Sequence, residues 1–261
     1  MAHVVAVANQ KGGVGKTTTT INLAACLAAT RRVLIVDVDP QGNLTSGVGQ
    51  KGLSSPAGTI YNALTTTEAT IDARPFVIPT AIDTLKLIPA DRHLTGAEIE
   101  MVTLSAREER LRRLLHSVRG DFDYIFIDCP PSLGLLTLNA LVAADAVLIP
   151  LHCEYFALEG LADLVGTMRR VRASLNPELD IEGVLLTMFD ERTNLGQQVA
   201  TDVRQFFKEK VFRTVIPRNI RLGEAPSHGM PVILYDVKSR GAEAYLALAR
   251  EVLERSAATA A

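Results

Sequence analysis

The sequence predicts an α/β fold: a mostly parallel, twisted sheet with helices on both faces. Short runs rich in β-branched residues alternate with longer segments of helical period, a pattern typical of strand–helix–strand units. The chain has 261 residues, of which 48% are hydrophobic and 21% charged, enough for one large core. Several of the runs end in a polar residue, and ligands of open α/β sheets bind at that edge. We therefore expect the functional site where the strands end.

Seven runs are predicted to be strands, and they cover residues 4–8, 33–37, 85–89, 124–128, 146–151, 183–187 and 214–216. Six segments are predicted to be helices, at residues 16–29, 106–118, 135–144, 158–174, 196–210 and 241–255. Segment 41–84 has the weakest periodicity and is expected to wrap the sheet as short helices and loops. No repeat or linker divides the chain, so we expect one domain over residues 2–256 and a frayed tail at 257–261.

Composition narrows the class of protein. There are 27 Lys and Arg against 29 Asp and Glu, so the net charge indicates neither a nucleic-acid nor a membrane partner. Either partner would have to bind to a local basic patch. Cys26, Cys129 and Cys153 stand far apart without metal-ligand spacing, which is typical of reduced, buried thiols. The first residues lack a signal-peptide pattern, and no apolar run reaches the roughly 18 residues of a membrane span. The sequence thus predicts a cytoplasmic protein.

A glycine loop, QKGGVGKTT at residues 10–18, lies between the first predicted strand and the first predicted helix. Its backbone N–H groups and the helix N-terminus are suited to hold phosphate. Lys16 is expected to reach the β- and γ-phosphates and the Thr17 hydroxyl to bind Mg²⁺. The strict G-x-x-x-x-G-K-[ST] spacing is not met, because Gln10 replaces the first glycine and a second lysine, Lys11, follows it. The predicted phosphate-binding residues are Lys11, Gly12, Gly13, Val14, Gly15, Lys16, Thr17 and Thr18.

This loop resembles that of the P-loop NTPases with a deviant Walker A motif, K-G-G-x-G-K-[ST]. The segments VLIVDVDPQGN at 33–43 and FIDCPPS at 126–132 resemble the two switch regions of that family. From residue 183, the stretches TMFDERTNLGQQV and IPRNIRLGEAPSHGMPV closely resemble the ParA/Soj branch, the DNA-partitioning ATPases. The resemblance extends over nearly the whole chain, and it implies ATP as substrate, Mg²⁺ as cofactor and chromosome or plasmid partition as function.

Three aspartates lie at or just after the ends of predicted strands. Asp128 is expected to hold Mg²⁺ through a bound water, since Mg²⁺ prefers oxygen ligands and keeps several waters. The resemblance implies that Asp39 orients the attacking water close to the metal ion and that Asp37 lies next to the ion without touching it. Lys11, Lys16 and Asp39 are thus the expected catalytic residues.

Lys11 is expected to act across a dimer. Because Lys16 is already expected to bind the phosphates held by this loop, we expect the second ammonium, that of Lys11, to point toward a facing subunit. The resemblance implies that two subunits enclose two nucleotides and that each Lys11 reaches the partner's phosphates. ATP should then drive formation of a homodimer, and hydrolysis should undo it.

Two late loops are expected to hold the base. The resemblance points to Met188, after the strand at 183–187, and to Pro217, Arg218 and Asn219, after the strand at 214–216. Apolar side chains can enclose an adenine ring while a few polar groups orient it.

Residues 192–240 carry nine basic and four acidic side chains, on a chain that is net negative. Such an excess suits binding to the phosphate backbone of DNA. Arg192 and Arg221 match positions used for DNA in the resembling branch, and Lys238 and Arg240 follow as candidates. No helix-turn-helix pattern precedes the first strand, so we expect binding without sequence preference. The resemblance also implies association with the nucleoid and a ParB-type centromere-binding protein that stimulates hydrolysis.

Two alternatives stay open. A MinD-like ATPase would position a complex at a membrane or cell pole, but the last predicted helix, 241–255, is charge-balanced and lacks the cationic face that anionic lipid requires. No membrane partner is therefore expected. A nucleotide-gated scaffold would bind its partners under the control of the nucleotide, without needing hydrolysis. Asp39 and Lys11 argue against this alternative, because a protein that only binds does not need a group that orients water.

Overall fold

A computed structural model describes residues 1–67, 71–154, 157–190 and 192–260. Its strands are β1 (His3–Val7), β2 (Val33–Asp37), β3 (Ile78–Pro79), β4 (Leu85–Ile88), β5 (Tyr124–Asp128), β6 (Ala146–His152) and β7 (Asp180–Thr187). They form one sheet in the order β3-β4-β2-β5-β1-β6-β7. Only the short edge strand β3 runs antiparallel to its neighbour within the described residues. The predicted mostly parallel sheet is confirmed.

Helices cover both faces of this sheet. They are α1 (Lys16–Leu27), α2 (Asn43–Gly47), α3 (Ile60–Thr65), α4 (Leu94–Glu100), α5 (Arg110–His116), α6 (Leu135–Ala143), α7 (Ala157–Ser174), α8 (Asn194–Phe207), α9 (Ile220–Glu224), α10 (Val232–Tyr235) and α11 (Arg240–Ala260). One apolar core lies under α3 to α8, and the other under α1, α2 and α9 to α11. Among the described residues, none of these helices has the length and apolar character needed to cross a membrane.

The central strand β1 contributes side chains to both cores, because successive side chains point to opposite faces of the sheet. Val4 and Ala6 pack in the core under α3 to α8, whereas Val5 and Val7 pack in the core under α1. The parallel register pairs Val7 with Asp128 and Asp37 with Asp128. The ends of β1, β2 and β5 are therefore level, and the loops that follow them meet at one place.

The prediction of a strand at residues 214–216 is wrong. The chain runs beside β7 there, and the N–H of Ile216 donates to the carbonyl oxygen of Leu186 at 2.8 Å, but only isolated bridges form, at Val211 and Pro217. The reason lies in helix α11, where the carboxylate of Glu251 accepts the N–H groups of Arg213 at 2.8 Å and Thr214 at 2.9 Å. These donors are turned away from β7, and Pro217 has no N–H to offer.

Several helix boundaries also differ from the predictions. In the segment predicted as a helix at 106–118, Ala106 has the left-handed φ of 48°, a 3₁₀ turn follows at Arg107–Glu109, and the α-helix covers only Arg110–His116. The helix predicted to end at residue 210 stops at Phe207, where Lys208 also has φ 48°. Helix α4 was not predicted. Helix α11 continues to Ala260, past the expected boundary at residue 256, because an alanine-rich end favours helix.

The three cysteines are free and buried, as predicted. Burial raises the pKa of Cys26 to about 12 and that of Cys153 to about 11, and it raises that of Cys129 as well. Thiols of this kind serve as small apolar residues of the core.

His3, at the amino edge of the sheet, contacts two carboxylates. Its Nε2 lies 2.8 Å from Oε2 of Glu182, and its Nδ1 lies 3.8 Å from Oδ2 of Asp145. Burial alone lowers the pKa of His3, but the hydrogen bond and the negative charges of Glu182 and Asp145 outweigh it, so the pKa is raised. The protonated ring therefore stabilises the fold below pH of about 6.5, and this contribution disappears as pH rises through the folded-state pKa.

We predict that His3→Gln lowers the free energy of unfolding at pH of about 5.5 and changes it little at about 8.5. The loss should stay below about 1 kcal/mol because the side chain is partly exposed to screening solvent. Urea denaturation at both pH values measures it, with His116→Gln on the exposed surface of α5 as control. An equal loss at both pH values would contradict a role for the charged ring.

Candidate active site

The glycine loop between β1 and α1 is built to leave backbone donors free. Gly13 has φ 72° and Gly15 has φ 88°, in the left-handed region that glycine reaches at little cost. The N–H groups of Gly13, Gly15 and Lys16 find no acceptor within the described part of the chain. A Cβ placed on Gly13 would meet no atom within 4 Å, so the loop is open on that side. Unpaired donors at a helix N-terminus are suited to an anion such as phosphate.

Lys16 and Thr17 lie at the start of α1 beside Asp128. Lys16 is buried, and its Nζ donates to the carbonyl oxygen of Lys11 at 3.1 Å. Burial lowers the pKa of Lys16, while the charge of Asp128 opposes the shift. The Thr17 hydroxyl donates to Oδ2 of Asp128 at 2.7 Å. A hydroxyl and a carboxylate are thus in contact, which is the oxygen donor set that suits Mg²⁺.

Asp37 and Asp128 are two fully buried carboxylates on adjacent strands. Burial raises the pKa of Asp37 to about 6, and burial together with the charge of Asp37 raises the pKa of Asp128 well above its usual range. Asp39, also buried, accepts the N–H of Gln41 at 2.9 Å through Oδ1, and no partner for its Oδ2 is found in the described part of the chain. A cluster of buried carboxylates of this kind is typical of a functional site that binds a cation.

A cavity of about 700 Å³ joins these groups to the two late loops. The predicted residues that line it are Gly12, Gly13, Gly15, Lys16, Thr17, Thr18, Asp39, Met188, Pro217, Arg218 and Asn219. Its volume is that of a typical small-molecule site. Val14 does not line it: the side chain is buried below the loop, and its carbonyl oxygen accepts the Thr187 hydroxyl at 2.8 Å. Six of the eight expected phosphate-binding residues and all four expected base-binding residues therefore share one cavity.

Sequence reasoning missed part of the lining. Further lining residues are Ile21, Gln41, Asn43, Ser46, Pro131, Thr187, Ile216, Leu222, Gly223, Pro226 and Tyr245. The Tyr245 hydroxyl lies 3.1 Å from that of Thr19, so the terminal helix packs on the helix of the phosphate loop. No sequence motif marks Tyr245, because its place depends on how α11 docks on α1.

The loops that are expected to hold the base are fixed by the end of β7. Met188 follows β7 with the left-handed φ of 48°, and the next N–H, from Phe189, donates to the carbonyl oxygen of Ile216 at 3.0 Å. Asn219 then caps α9, accepting the N–H of Arg221 at 2.9 Å. A strained residue held by its neighbours is a frequent feature of ligand sites.

Lys11 does not line its own chain's cavity. Its Nζ lies 2.6 Å from Oε2 of Glu154, whose other oxygen lies 3.0 Å from Nδ1 of His152. The hydrogen bond and charge of Lys11 hold the pKa of Glu154 below its usual value. Sequence reasoning missed Glu154, which lies 143 positions from Lys11. That Lys11 reaches a second subunit stays a prediction.

The four expected DNA-binding residues are only partly brought together. Arg192 and Arg240 line a hollow of about 830 Å³, which Arg218 also lines, whereas Arg221 and Lys238 do not. The Arg192 side chain is 89% exposed, and its Nη2 lies 2.7 Å from Oδ2 of Asp190.

Arg221 also has carboxylate partners of its own. It lies 2.7 Å from Oε2 of Glu224 and 3.3 Å from Oδ2 of Asp236. Sequence reasoning did not foresee that this arginine and Arg192 would be paired within the chain.

Comparison with known proteins identifies the family. The model of a family described as AAA domain matches residues 2–181. The sporulation initiation inhibitor protein Soj of Bacillus subtilis is 56% identical over 253 residues, which cover 97% of this chain and 98% of Soj. The chromosome partitioning protein ParA of Myxococcus xanthus is 55% identical over 259 residues, 98% of this chain and 89% of that protein. The chain belongs to the ParA/Soj family of partitioning ATPases.

Membership of the ParA/Soj family confirms the resemblance drawn from the glycine loop and the two switch segments. A solved structure with the same fold is that of cobyrinic acid a,c-diamide synthase from Mycobacterium smegmatis with bound ATP analog and magnesium. It is 38% identical, has a TM-score of 0.82, and covers 97% of this chain and 95% of its own. The family match over residues 2–181 includes the whole phosphate loop and both acidic strand ends.

We predict that Asp128→Asn stabilises this ParA/Soj family member in the absence of metal and nucleotide. A carboxylate whose folded-state pKa is raised costs stability: the cost is full at pH above that pKa, shrinks as pH falls below it, and vanishes only below the pKa of the unfolded chain. At pH of about 7.5 the variant should gain about 1–2 kcal/mol in free energy of unfolding, with less gain toward pH 4. Thermal or urea unfolding in EDTA measures the gain.

The same variant should lose the stabilisation that Mg²⁺ and ATP give to the unmodified chain. Asp123→Asn is the matched control: backbone and side-chain hydrogen bonds from Arg32 lower the pKa of Asp123, so its loss should destabilise. A less stable Asp128→Asn protein in EDTA would contradict the unfavourable burial of this carboxylate, and full stabilisation of the variant by Mg²⁺ and ATP would contradict the assignment of Asp128 to a cation site.

Proposed function

We propose that this chain hydrolyses ATP with Mg²⁺ in the cavity described above, as an ATP-dependent dimer that binds DNA without sequence preference. The observation that supports this most directly is that one cavity joins the unpaired N–H groups of the glycine loop to Asp39. Its task in the cell would be the partition of a chromosome or plasmid on the nucleoid.

Phosphoryl transfer to water requires neutralised charge and a water placed in line more than covalent help. The free N–H groups of the loop and the Lys16 ammonium would hold the phosphates. Thr17 and Asp128 would hold Mg²⁺, the carboxylate through water, and Mg²⁺ would supply further positive charge. Asp37 lies next to Asp128 on the adjacent strand.

Asp39 would orient the attacking water. Its Oδ1 is bound to the N–H of Gln41, while Oδ2 has no partner in the described part of the chain and the residue lines the cavity. Oδ2 is therefore the atom available to accept a hydrogen bond from water. Met188, Pro217, Arg218 and Asn219 would hold the adenine.

The position of Lys11 supports a role in a dimer. Its ammonium is bound to Glu154 outside the chain's own cavity, and both side chains are partly exposed. An exposed ion pair contributes only about 0–1 kcal/mol, so the triphosphate of a facing subunit can compete with Glu154 for this lysine. ATP would in this way stabilise the dimer, and loss of the γ-phosphate would weaken it.

DNA would bind to the basic segment 192–240. The ion pairs of Arg192 and Arg221 are exposed on the surface, so both arginines can exchange their carboxylates for phosphate. A dimer would double the charge presented to DNA, which makes binding depend on nucleotide. A ParB-type partner that stimulates hydrolysis would then release the protein from DNA.

We predict that Asp39→Ala binds ATP and dimerises but hydrolyses ATP about 100-fold more slowly, because no group orients the water. It should remain on DNA when ATP is present. Phosphate release, light scattering and a DNA-binding assay measure these properties, and Lys16→Ala, which should lose ATP binding itself, is the control. Normal turnover in Asp39→Ala, or ATP-dependent dimerisation in Lys16→Ala, would contradict the proposed site.

We predict that Arg192→Glu and Arg221→Glu each weaken binding to random-sequence duplex DNA by about 10-fold or more at low salt, without affecting dimerisation. The slope of log affinity against log salt should become less steep, because fewer counterions are released. Arg31→Glu, an exposed charge beyond the end of α1, is the matched control. Unchanged DNA affinity in both variants would rule out the basic segment as the DNA surface.

A further inference from the structure

Helix α2, next to the cavity, lacks a side-chain cap of its own. Its N-cap residue is Gly42, with φ 62°, which offers no side chain to the first turn. The N–H of Thr45 in that turn instead donates to Oδ2 of Asp37 at 2.8 Å, eight residues earlier in the chain. The end of β2 thus supplies the cap of α2.

The hydroxyl of Thr45 forms two further bonds at this point. It donates to the same Oδ2 of Asp37 at 2.7 Å, and it accepts the N–H of Ala90, just after β4, at 3.0 Å. Thr45 is only 3% exposed, so water does not replace these partners. One buried hydroxyl therefore joins the ends of two neighbouring strands to α2.

Asp37 holds both ends of the loop between β2 and α2. Its Oδ2 accepts from Thr45, and its Oδ1 accepts the N–H of Asp39 at 3.2 Å. Within the loop, Asp39 accepts the N–H of Gln41 through Oδ1 and the N–H of Gly42 through its carbonyl oxygen. The position of the Asp39 carboxylate is therefore fixed by a frame whose outer bonds end at Asp37 and Thr45.

We infer that Thr45 is a positioning residue for ATP hydrolysis: its hydroxyl, bound to Asp37 and Ala90, fixes the loop that places Asp39. The inference rests on the proposed hydrolysis by way of Asp39. The Thr45 hydroxyl has its proton and one lone pair engaged within the chain, so it acts through Asp39 and not on the nucleotide. Small displacements of a catalytic group have large effects on rate, which makes such a frame consequential.

Thr45→Val and Thr45→Ser separate the hydroxyl from the shape of the side chain. Valine retains the volume and the backbone bond to Asp37 but loses both hydroxyl bonds, whereas serine retains the hydroxyl. We expect Thr45→Val to lower kcat about 10-fold or more, with KM and the affinity for a non-hydrolysable ATP analogue within about 2-fold of the unmodified chain. Thr45→Ser should restore most of kcat.

The role through Asp39 is tested in the Asp39→Ala background. If Thr45 acts only by placing Asp39, the double variant should hydrolyse ATP at the rate of Asp39→Ala alone in single-turnover measurements. A general loosening of the fold would lower that residual rate further and weaken ATP binding. All rates are measured well below the melting temperature of each variant, and Thr45→Ala is the second hydroxyl-free variant should valine prevent folding.

Three outcomes would overturn the inference. Thr45→Val with the kcat of the unmodified chain would show that the hydroxyl does not matter for turnover. A loss of ATP-analogue affinity as large as the loss of kcat, without rescue by serine, would show a general structural role. Absence of ATP hydrolysis by the unmodified chain would refute the proposed function itself, and this outcome is distinct because it is seen before any variant is made.

Discussion

The burial of Asp37 and Asp128 side by side is the constraint on which the site depends. The parallel register of β2 and β5 places the two carboxylates at the same level, with no water to screen them. Such a pair is costly to bury and is maintained only where surrounding donors offset the cost. The donors here come from the segments that a nucleotide site needs: Thr17 and Thr20 of α1 bind Asp128, and Thr45 of α2 binds Asp37.

This pair also connects the acidic strand ends to the glycine loop, because Thr17, at the end of that loop, binds Asp128. Lys16 is a buried cation close enough to Asp128 for their charges to interact. Its Nζ, however, donates to the backbone carbonyl oxygen of Lys11 in the loop. The protein alone thus leaves Asp128 with a pKa well above its usual range, and in the described part of the chain it leaves unpaired N–H donors in the loop. A magnesium–nucleotide complex brings charges of both signs and would complete both halves, a general way in which a site gives up stability for binding.

Charges outside the cavity follow a different rule. The ammonium of Lys11 and the guanidinium groups of Arg192 and Arg221 each have a carboxylate of the same chain within 2.7 Å. These pairs are partly exposed, so they are weak and readily exchanged. Under the proposed function, such weakly paired side chains would be free to exchange their carboxylates for phosphate, from a facing subunit or from DNA. Buried charge therefore defines the catalytic centre, and exposed charge defines the surfaces where partners are expected.

The sequence by itself determined the fold class, the glycine loop and the family, because these depend on local patterns: β-branched runs, a glycine-rich turn before a helix, and aspartates at strand ends. It failed where distant parts of the chain compete for the same groups. The expected strand at 214–216 does not form because Glu251 binds the N–H groups of Arg213 and Thr214. Lys11, Arg192 and Arg221 have partners that charge counting does not reveal. Tyr245, Glu154 and Thr45 gave no signal because their roles arise from docking of α11, from the end of β6 and from the meeting of β2 with β4. Only the tertiary structure decided these contacts, because a hydrogen bond requires its two atoms to be within about 3 Å, and separation along the chain carries no information about that distance.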